Sequence, residues 1–331
     1  MPAPRWKPAA ELARRLAVRV AGASAVSRRT MAVIGSELSA ASERGLALAE
    51  AREAGIIDTY QGSYFGEGRD ASGDRAGRSG YARYDRIASN ADIAGWMLWR
   101  NFQVDTALDV GCATGFLVEV LREQGIDAQG CDVSEYAIDH ASPGAAGHIR
   151  VGNLFAGLPW NDNSFALVTA LEILEHLPPE RVKVALAELH RVCNGYLYAT
   201  IPSFGRNESG PNGHFEGKVL PDRVGHYRSL GPDFLGPVPY ADLAIDSAGM
   251  PVEGHLSIAS FQWWTDQFKA VGFSRCLDVE RRLYSDIAPG GLAPFWNIYV
   301  FKVDGARPEA VEPREPGRSL VQLGLRHPLF E

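Results

Sequence analysis

The chain has 331 residues, enough at a prior of about 150 residues per domain for one large domain with additions or for two small ones. Its composition, 46% hydrophobic, 22% charged and 10% aromatic, is that of a globular protein and argues against collagen-like, wholly disordered and membrane-spanning classes. A formal net charge of -7 gives no global attraction to phosphate backbones, so general nucleic-acid binding is not expected. The four cysteines (Cys112, Cys131, Cys193, Cys276) lie too far apart for the short paired spacings of zinc or redox sites, which fits a reducing, cytoplasmic setting.

Up to residue 30, seven basic residues (Arg5, Lys7, Arg14, Arg15, Arg19, Arg28, Arg29) face a single acid, Glu11, so this arm carries +6 and the remainder -13. Leu12, Leu16 and Val20 fall at i, i+4 and i+8 with arginines off that seam, the pattern of a basic amphipathic helix. Residues 1–77 are therefore expected to be a basic, helical extension, solvated or offering a peripheral membrane or protein contact. Arginines interrupt the apolar run that a secretory signal would need.

From about residue 105 strands and helices alternate, which predicts βαβ units and a parallel sheet, hence an α/β fold. Strands are predicted at Thr106 to Val110, Ala128 to Asp132, His148 to Gly152, Phe165 to Leu171 and through Tyr196 to Ile201. Helices are predicted at Phe116 to Gln124, ended by Gly125, and at 178–192, opened by Pro178 and Pro179 and closed by Asn194 and Gly195. Between Pro202 and Gly254, nine glycines and seven prolines leave no room for long regular elements, so an aromatic-bearing cap is expected there. A helix near Phe261 to Ala270, a strand near Arg275 to Glu280 and a final strand in PFWNIYVFKV follow. Four prolines and mixed charge make residues 304–331 a mostly disordered tail.

The first strand runs through Asp109 into Gly111, Cys112 and Gly115 and then a helix, bringing bare backbone to the strand end where a ligand could approach. A dinucleotide fingerprint would need glycine where Ala113 and Phe116 stand, so that phosphate cradle is incomplete. The competing reading is a ligand with a positively charged amino-acid end: Asp109 would repel phosphates but could pair with an ammonium group. Asp132, 21 residues after Gly111, ends the second strand where an acid can accept both hydroxyls of a ribose; it could equally serve as a turn or helix-capping residue.

The stretches LDVGCATGFL, GCDVS, GNLFAGLPWNDNSFALV and LEILEHL, in this order and spacing, resemble the class I S-adenosylmethionine-dependent methyltransferases, in the broad group that includes the quinone-biosynthesis type. The likeness covers about residues 78–201 and reaches weakly to 254–273. It implies a methyltransferase domain over 78–303, with a cap insertion at 202–254 after the fifth strand. Its fold would be a Rossmann-like, seven-stranded, mostly parallel sheet with helices on both faces and a terminal antiparallel hairpin. Its cofactor would be S-adenosyl-L-methionine: Asp109, Gly111 and Gly115, with Cys112 between them, at the methionine end, Asp132 and Val133 at the ribose, and Asn153 and Leu154 at the adenine edge. The family commonly has aspartate where Asn153 stands, and Tyr81 falls where it often closes over the methionine end.

The expected acceptor is a small molecule or saccharide, with oxygen as the methylated atom; a non-catalytic donor-binding or scaffolding protein is the alternative. Trp263 and Trp264 suit saccharide stacking and helix packing equally. A hydroxyl acceptor wants a base, for which Glu172, His176, His214 and His226 are the candidates, while Glu175 is expected to be structural. A histidine base would make activity rise somewhere near pH 6 to 8. His214, His226 and His255, with Glu216, Asp222 and Asp233 nearby, match no compact ligand spacing, so no metal is expected.

Overall fold

The computed structural model describes residues 64–65, 84–215, 217–245, 251–287, 297–306 and 313–314. The expectations for the basic arm, for Tyr81 and for most of the tail lie outside these residues. The elements run α1 (Ala91–Asn101), β1 (Thr106–Val110), α2 (Phe116–Glu123), β2 (Asp127–Asp132), α3 (Glu135–Asp139), β3 (Ile149–Val151), β4 (Phe165–Leu171), α4 (Val182–Val192) and β5 (Cys193–Thr200). They continue as β6 (Ser203–Phe204), α5 (Pro221–Leu230), β7 (Ala259–Ser260), α6 (Phe261–Lys269), β8 (Phe273–Arg275), α7 (Leu277–Ile287) and β9 (Ile298–Val303).

Seven strands form one sheet in the order β3-β2-β1-β4-β5-β9-β8. The first five are parallel and β9 is antiparallel to both neighbours, so the expected α/β sheet and terminal hairpin are present. Because side chains alternate along a strand, each buried strand feeds two cores. Leu108, Val168, Tyr299 and Phe301 pack on one face with Leu186 and Leu189 of α4 and Trp264 and Phe268 of α6. Ala107, Leu167, Ile298 and Val300 pack on the other with Met97 and Leu98 of α1, Val118 and Leu121 of α2 and Leu283 of α7. Trp264 is fully buried and Trp263 packs beside it, so helix packing accounts for the tryptophan pair.

Three local expectations are corrected. The helix foreseen at 178–192 starts only at Val182, and Asn194 and Gly195 lie within β5, because the chain turns straight from α4 into the strand at Cys193. The strand foreseen near Arg275 to Glu280 is the short β8 followed at once by α7, whose first turn carries Asp278 and Glu280, acids that suit a helix N-terminus. The segment foreseen without long regular elements contains the ten-residue α5: Pro221 sits in its first turn, where no N–H is needed, and Gly231 ends it. This segment builds a small core of its own from Phe204, Phe215, Val219, Tyr227, Val238 and Leu243. Among the described residues, no helix is long and apolar enough to cross a membrane.

Candidate active site

The turn after β1 is held against β2 by its own backbone: the N–H groups of Gly111 and Cys112 both donate to the Cys131 carbonyl, at 2.8 and 3.0 Å. Gly111 adopts φ +75°, and a Cβ there would stand 2.2 Å from Ile173 Cδ1. Gly115, at φ +85°, begins α2, and a Cβ there would meet Ala145 at 2.5 Å. Both glycines are thus demanded by the fold as well as by any ligand. Between them Ala113 is also left-handed, φ 48°, a conformation that costs a non-glycine residue about 1–2 kcal/mol and is held here by a specific bond.

That bond comes from Asp132. Its Oδ2 accepts from the Ala113 N–H at 2.8 Å and its Oδ1 from the Ser134 N–H at 2.9 Å. The carboxylate at the end of β2 therefore clasps the glycine turn, while the N-cap of α3 is Ser134, which accepts from the Ala137 N–H. Asp109 lies on β1 in register with Thr169 of β4, whose hydroxyl donates to Asp109 Oδ1 at 2.6 Å. Burial and, after it, the charge of Asp132 push the Asp109 carboxyl up to about 7 against that hydrogen bond. Burial also raises Asp132, opposed by its backbone N–H donors. Two buried carboxylates on adjacent strands, with no ion-pair partner among the described residues, thus flank one glycine turn.

Other proposed contacts change character. Cys112 turns its side chain into the core, where burial holds the thiol far above its ordinary range, so only its backbone borders the turn. Val133 is half-buried beside Asp132, and Leu154 is buried. Asn153 Oδ1 accepts from the Phe155 N–H at 2.8 Å, so the oxygen expected at the adenine edge already closes a local turn.

At the carboxyl end of β4 the chain reverses through Glu172, φ 53°, whose N–H donates to both the carbonyl and the hydroxyl of Thr200, at 3.0 and 3.1 Å. A short 3-10 turn, Leu174–His176, follows. Burial pushes Glu172 up to about 6, and burial together with Glu172 holds Glu175 well above the carboxylate range. Lys218, lowered by burial, lies within the field of both acids and pairs with Glu253. Burial pushes His176 down to about 4, below the range in which a histidine base is expected to titrate.

The four expected base candidates are not brought together. His214 and His226 are exposed on the segment after β5. His214 borders an open cavity of about 390 Å³ lined also by Phe204, Arg206, Tyr227 and Phe234, while His226 rests its ring on Tyr227. The histidine that joins His176 is His255: their rings meet edge to face at 4.9 Å, and both Nε2 atoms face Glu175 Oε1. One ligand atom each from Glu175, His176 and His255 lies within 4.8 Å of the others, a cluster that linear spacing does not reveal.

Residues 108–198 match the family model described as a methyltransferase domain. Over 100 residues the chain is 30% identical to a ubiquinone biosynthesis O-methyltransferase of Azoarcus sp. (strain BH72), covering 28% of this chain and 43% of that protein. Over 105 residues it is 33% identical to the protein of the same name from Methylococcus capsulatus (strain ATCC 33009 / NCIMB 11132 / Bath), covering 29% and 43%. The chain thus spans less than half the length of these curated relatives. Among solved structures, magnesium protoporphyrin IX methyltransferase from Synechocystis PCC 6803 with bound SAH is 13% identical, with a TM-score of 0.43 over 76% of this chain and 100% of that one. Residues 108–198 of the chain thus carry a methyltransferase domain, set on a seven-stranded α/β sheet.

Proposed function

We propose that the protein transfers the methyl group of S-adenosylmethionine to an oxygen of a small molecule or saccharide. The observation that carries this reading is the glycine turn between two buried carboxylates. Asp109 fits the ammonium of the donor's methionine end, since a buried carboxylate raised to about 7 gains most from a positive partner. Asp132 fits the ribose: each oxygen spends one lone pair on a backbone N–H, which leaves acceptor capacity for hydroxyls. Leu154 and Val133 offer apolar surface beside it, and Asn153 retains its amide N–H₂ for the base.

When bound, the sulfonium supplies an already activated methyl group, so the work left to the protein is to hold the acceptor oxygen in line and to take its proton. Glu172, where the chain turns at the carboxyl end of β4 and burial pushes its carboxyl up to about 6, is the base assigned in preference to His176, whose Nδ1 is already engaged by the Gly254 carbonyl. The two relatives named as O-methyltransferases support oxygen as the acceptor atom. The aromatic cavity beside Phe204, Tyr227 and Phe234 supports a ring-bearing or saccharide acceptor.

Calorimetry with S-adenosylmethionine, followed by mass spectrometry of a metabolite extract incubated with protein and labelled donor, tests both halves. Saturable donor binding and one extract component gaining a single labelled methyl on oxygen are expected. A folded protein that does not bind the donor would overturn the assignment, and donor binding with no labelled product would make it a non-catalytic donor-binding protein.

A further inference from the structure

The cavity in the segment after β5 has fixed walls. Gly205 and Gly213 exchange N–H···O=C bonds at 3.0 Å in both directions, and a Cβ on Gly213 would stand 1.8 Å from the Ser203 carbonyl oxygen, so only glycine lets the two stretches approach this closely. Arg206 and His214, each next in sequence to a bridged glycine, line the cavity. The loop between them is tied down twice. Asn212 Oδ1 accepts from the Asn207 N–H at 3.1 Å, and Asn207 Oδ1 accepts at 3.1 Å from Arg275 Nη2, whose guanidinium pairs with the fully buried Glu280. This wall is thereby anchored to β8 and α7.

The apolar part is built from four rings. Phe204 stacks on Phe234 at 5.5 Å with planes 3° apart and meets Phe215 edge to face at 5.3 Å, while Tyr227 leans on Phe234 at 4.7 Å. Phe204, Phe215 and Tyr227 are buried, so packing holds these rings in place. At about 390 Å³ the cavity stands at the small end of the ~300–1,000 Å³ range of ligand pockets, with room for one or two rings.

Its charge is one-sided. Arg206, His214 and Arg228 line it with exposed side chains, and no acid is among the described lining residues, although the chain as a whole has 40 acids against 33 lysines and arginines. Asp242, the acid tied to this core, is already engaged: it accepts from the Tyr227 hydroxyl at 2.6 Å and pairs with Arg223 at 3.2 Å. Guanidinium forks match the oxygens of a carboxylate or phosphate, and aromatic walls take a flat body. A cationic ligand would meet like charges.

We propose that this cavity binds a compound of one or two planar rings that carries a carboxylate or phosphate group. Resting on the methyl-transfer reading, that compound is the acceptor, which narrows the ring-bearing class to anions. The group held by the arginines is not the oxygen that is methylated. A hydroxyl elsewhere on the ring gains the methyl as the donor's C–S bond breaks and gives its proton to the base, so the product keeps its anion.

Calorimetry on the full chain with 2-naphthol, 2-naphthoate, 2-naphthyl phosphate and 2-naphthylmethylamine varies the charge on one ring system and needs no donor. The better of the two anions, which identifies carboxylate or phosphate, should bind at least about tenfold more tightly than naphthol, and the amine should not saturate. Arg206→Gln and Arg228→Gln should each weaken that anion by about 5–20-fold without changing naphthol. Phe234→Ala should weaken both by about 3–10-fold, and Arg122→Gln on α2 should change neither. Circular dichroism and donor affinity check that each variant is folded. An anion that binds no more tightly than naphthol, or one unaffected by both arginine variants, overturns the proposal. In an extract incubated with labelled donor, the methylated product should be retained on an anion exchanger. Label confined to neutral products overturns the acceptor role and leaves methyl transfer standing, whereas a protein that binds the naphthalene anion but no donor overturns methyl transfer and leaves the anion site standing.

Discussion

Asp109 gives the sharpest test of the donor site because its burial affects stability and binding in opposite senses. Unfolded, its carboxyl titrates near 3.9; folded, burial and the neighbouring Asp132 raise it to about 7. The folded form therefore holds a proton that the unfolded form has lost between these values, so this residue's contribution to stability falls as pH rises from about 4 to 7. At 1.36 kcal/mol for each tenfold change, the full loss is up to ~4 kcal/mol above pH 7. Asp109→Asn removes the titration but keeps an oxygen for the Thr169 hydroxyl. Without donor, the variant should match the parent near pH 4 and exceed it by about 1–4 kcal/mol at pH 8, the lower figure allowing for the buried amide.

Binding should run the other way. An ammonium requires the ionised carboxylate, so donor affinity of the parent should rise about tenfold from pH 6 to its plateau as Asp109 loses its proton. It should fall again above roughly pH 8, where the donor's own α-amino group titrates. Asp109→Asn should weaken binding by roughly 10–100-fold, in line with 1.5–3 kcal/mol for a hydrogen bond to a charged group, and should erase the acid limb. Urea unfolding of both proteins from pH 4 to 8, with calorimetry over the same range, reads both effects. A variant with the parent's donor affinity and acid limb would remove Asp109 from the ammonium site, and a stability difference independent of pH would refute its raised pKa.

Gly111→Ala should cost about 2–5 kcal/mol through the left-handed backbone and the clash with Ile173; adding Ile173→Ala should recover the packing share in urea unfolding, and full tolerance of Gly111→Ala would contradict the turn geometry. Asp132→Ala should lose about 2–4 kcal/mol, because two buried N–H groups lose their acceptor; its donor affinity must therefore be measured on the folded fraction. Arg275→Met leaves the fully buried Glu280 without its partner and should destabilise the fold by roughly 3–5 kcal/mol by chemical denaturation, a loss under 1 kcal/mol showing that Ser209 and the Val300 N–H suffice to hold that acid.

The first five strands and the glycine turn were legible because strand-length runs end on glycines and acids, and the central strands β1, β4 and β5 are buried on both faces, while β3 at the sheet edge buries only Ile149. Thr169 was legible in principle: it is a polar residue inside the apolar run of β4, and the parallel register that sets it opposite Asp109 follows from pairing the two strands. The clash that makes Gly111 obligatory was not, since Ile173 lies 62 residues away and reaches the turn only through the sheet. The helix α7 was misread as strand for a different reason. Val279, Leu283 and Ile287 do recur at the helical i, i+4 and i+8, but charged and polar residues fill the positions between them, and the helix start is fixed by tertiary bonds that Glu280 accepts from Arg275 and the Val300 N–H.

Glu175 shows where counting along a strand stops being informative. Counting alternate directions from β4 makes it a structural residue, but that count holds only while the chain stays extended. It leaves the strand at Glu172, whose left-handed backbone costs about 1–2 kcal/mol, offset by an N–H shared between the carbonyl and hydroxyl of Thr200. The 3-10 turn that follows resets which way each side chain faces, and Glu175 and His176 come to share one buried space despite being adjacent in sequence. The Glu175 carbonyl then selects the third member: by accepting from Leu256 and Ser257 it fixes the chain beside His255. One residue thus supplies the backbone anchor and the side chain of the same cluster. Replacing its carboxylate by an amide leaves the anchor intact, so Glu175→Gln isolates the chemistry of the cluster from its assembly.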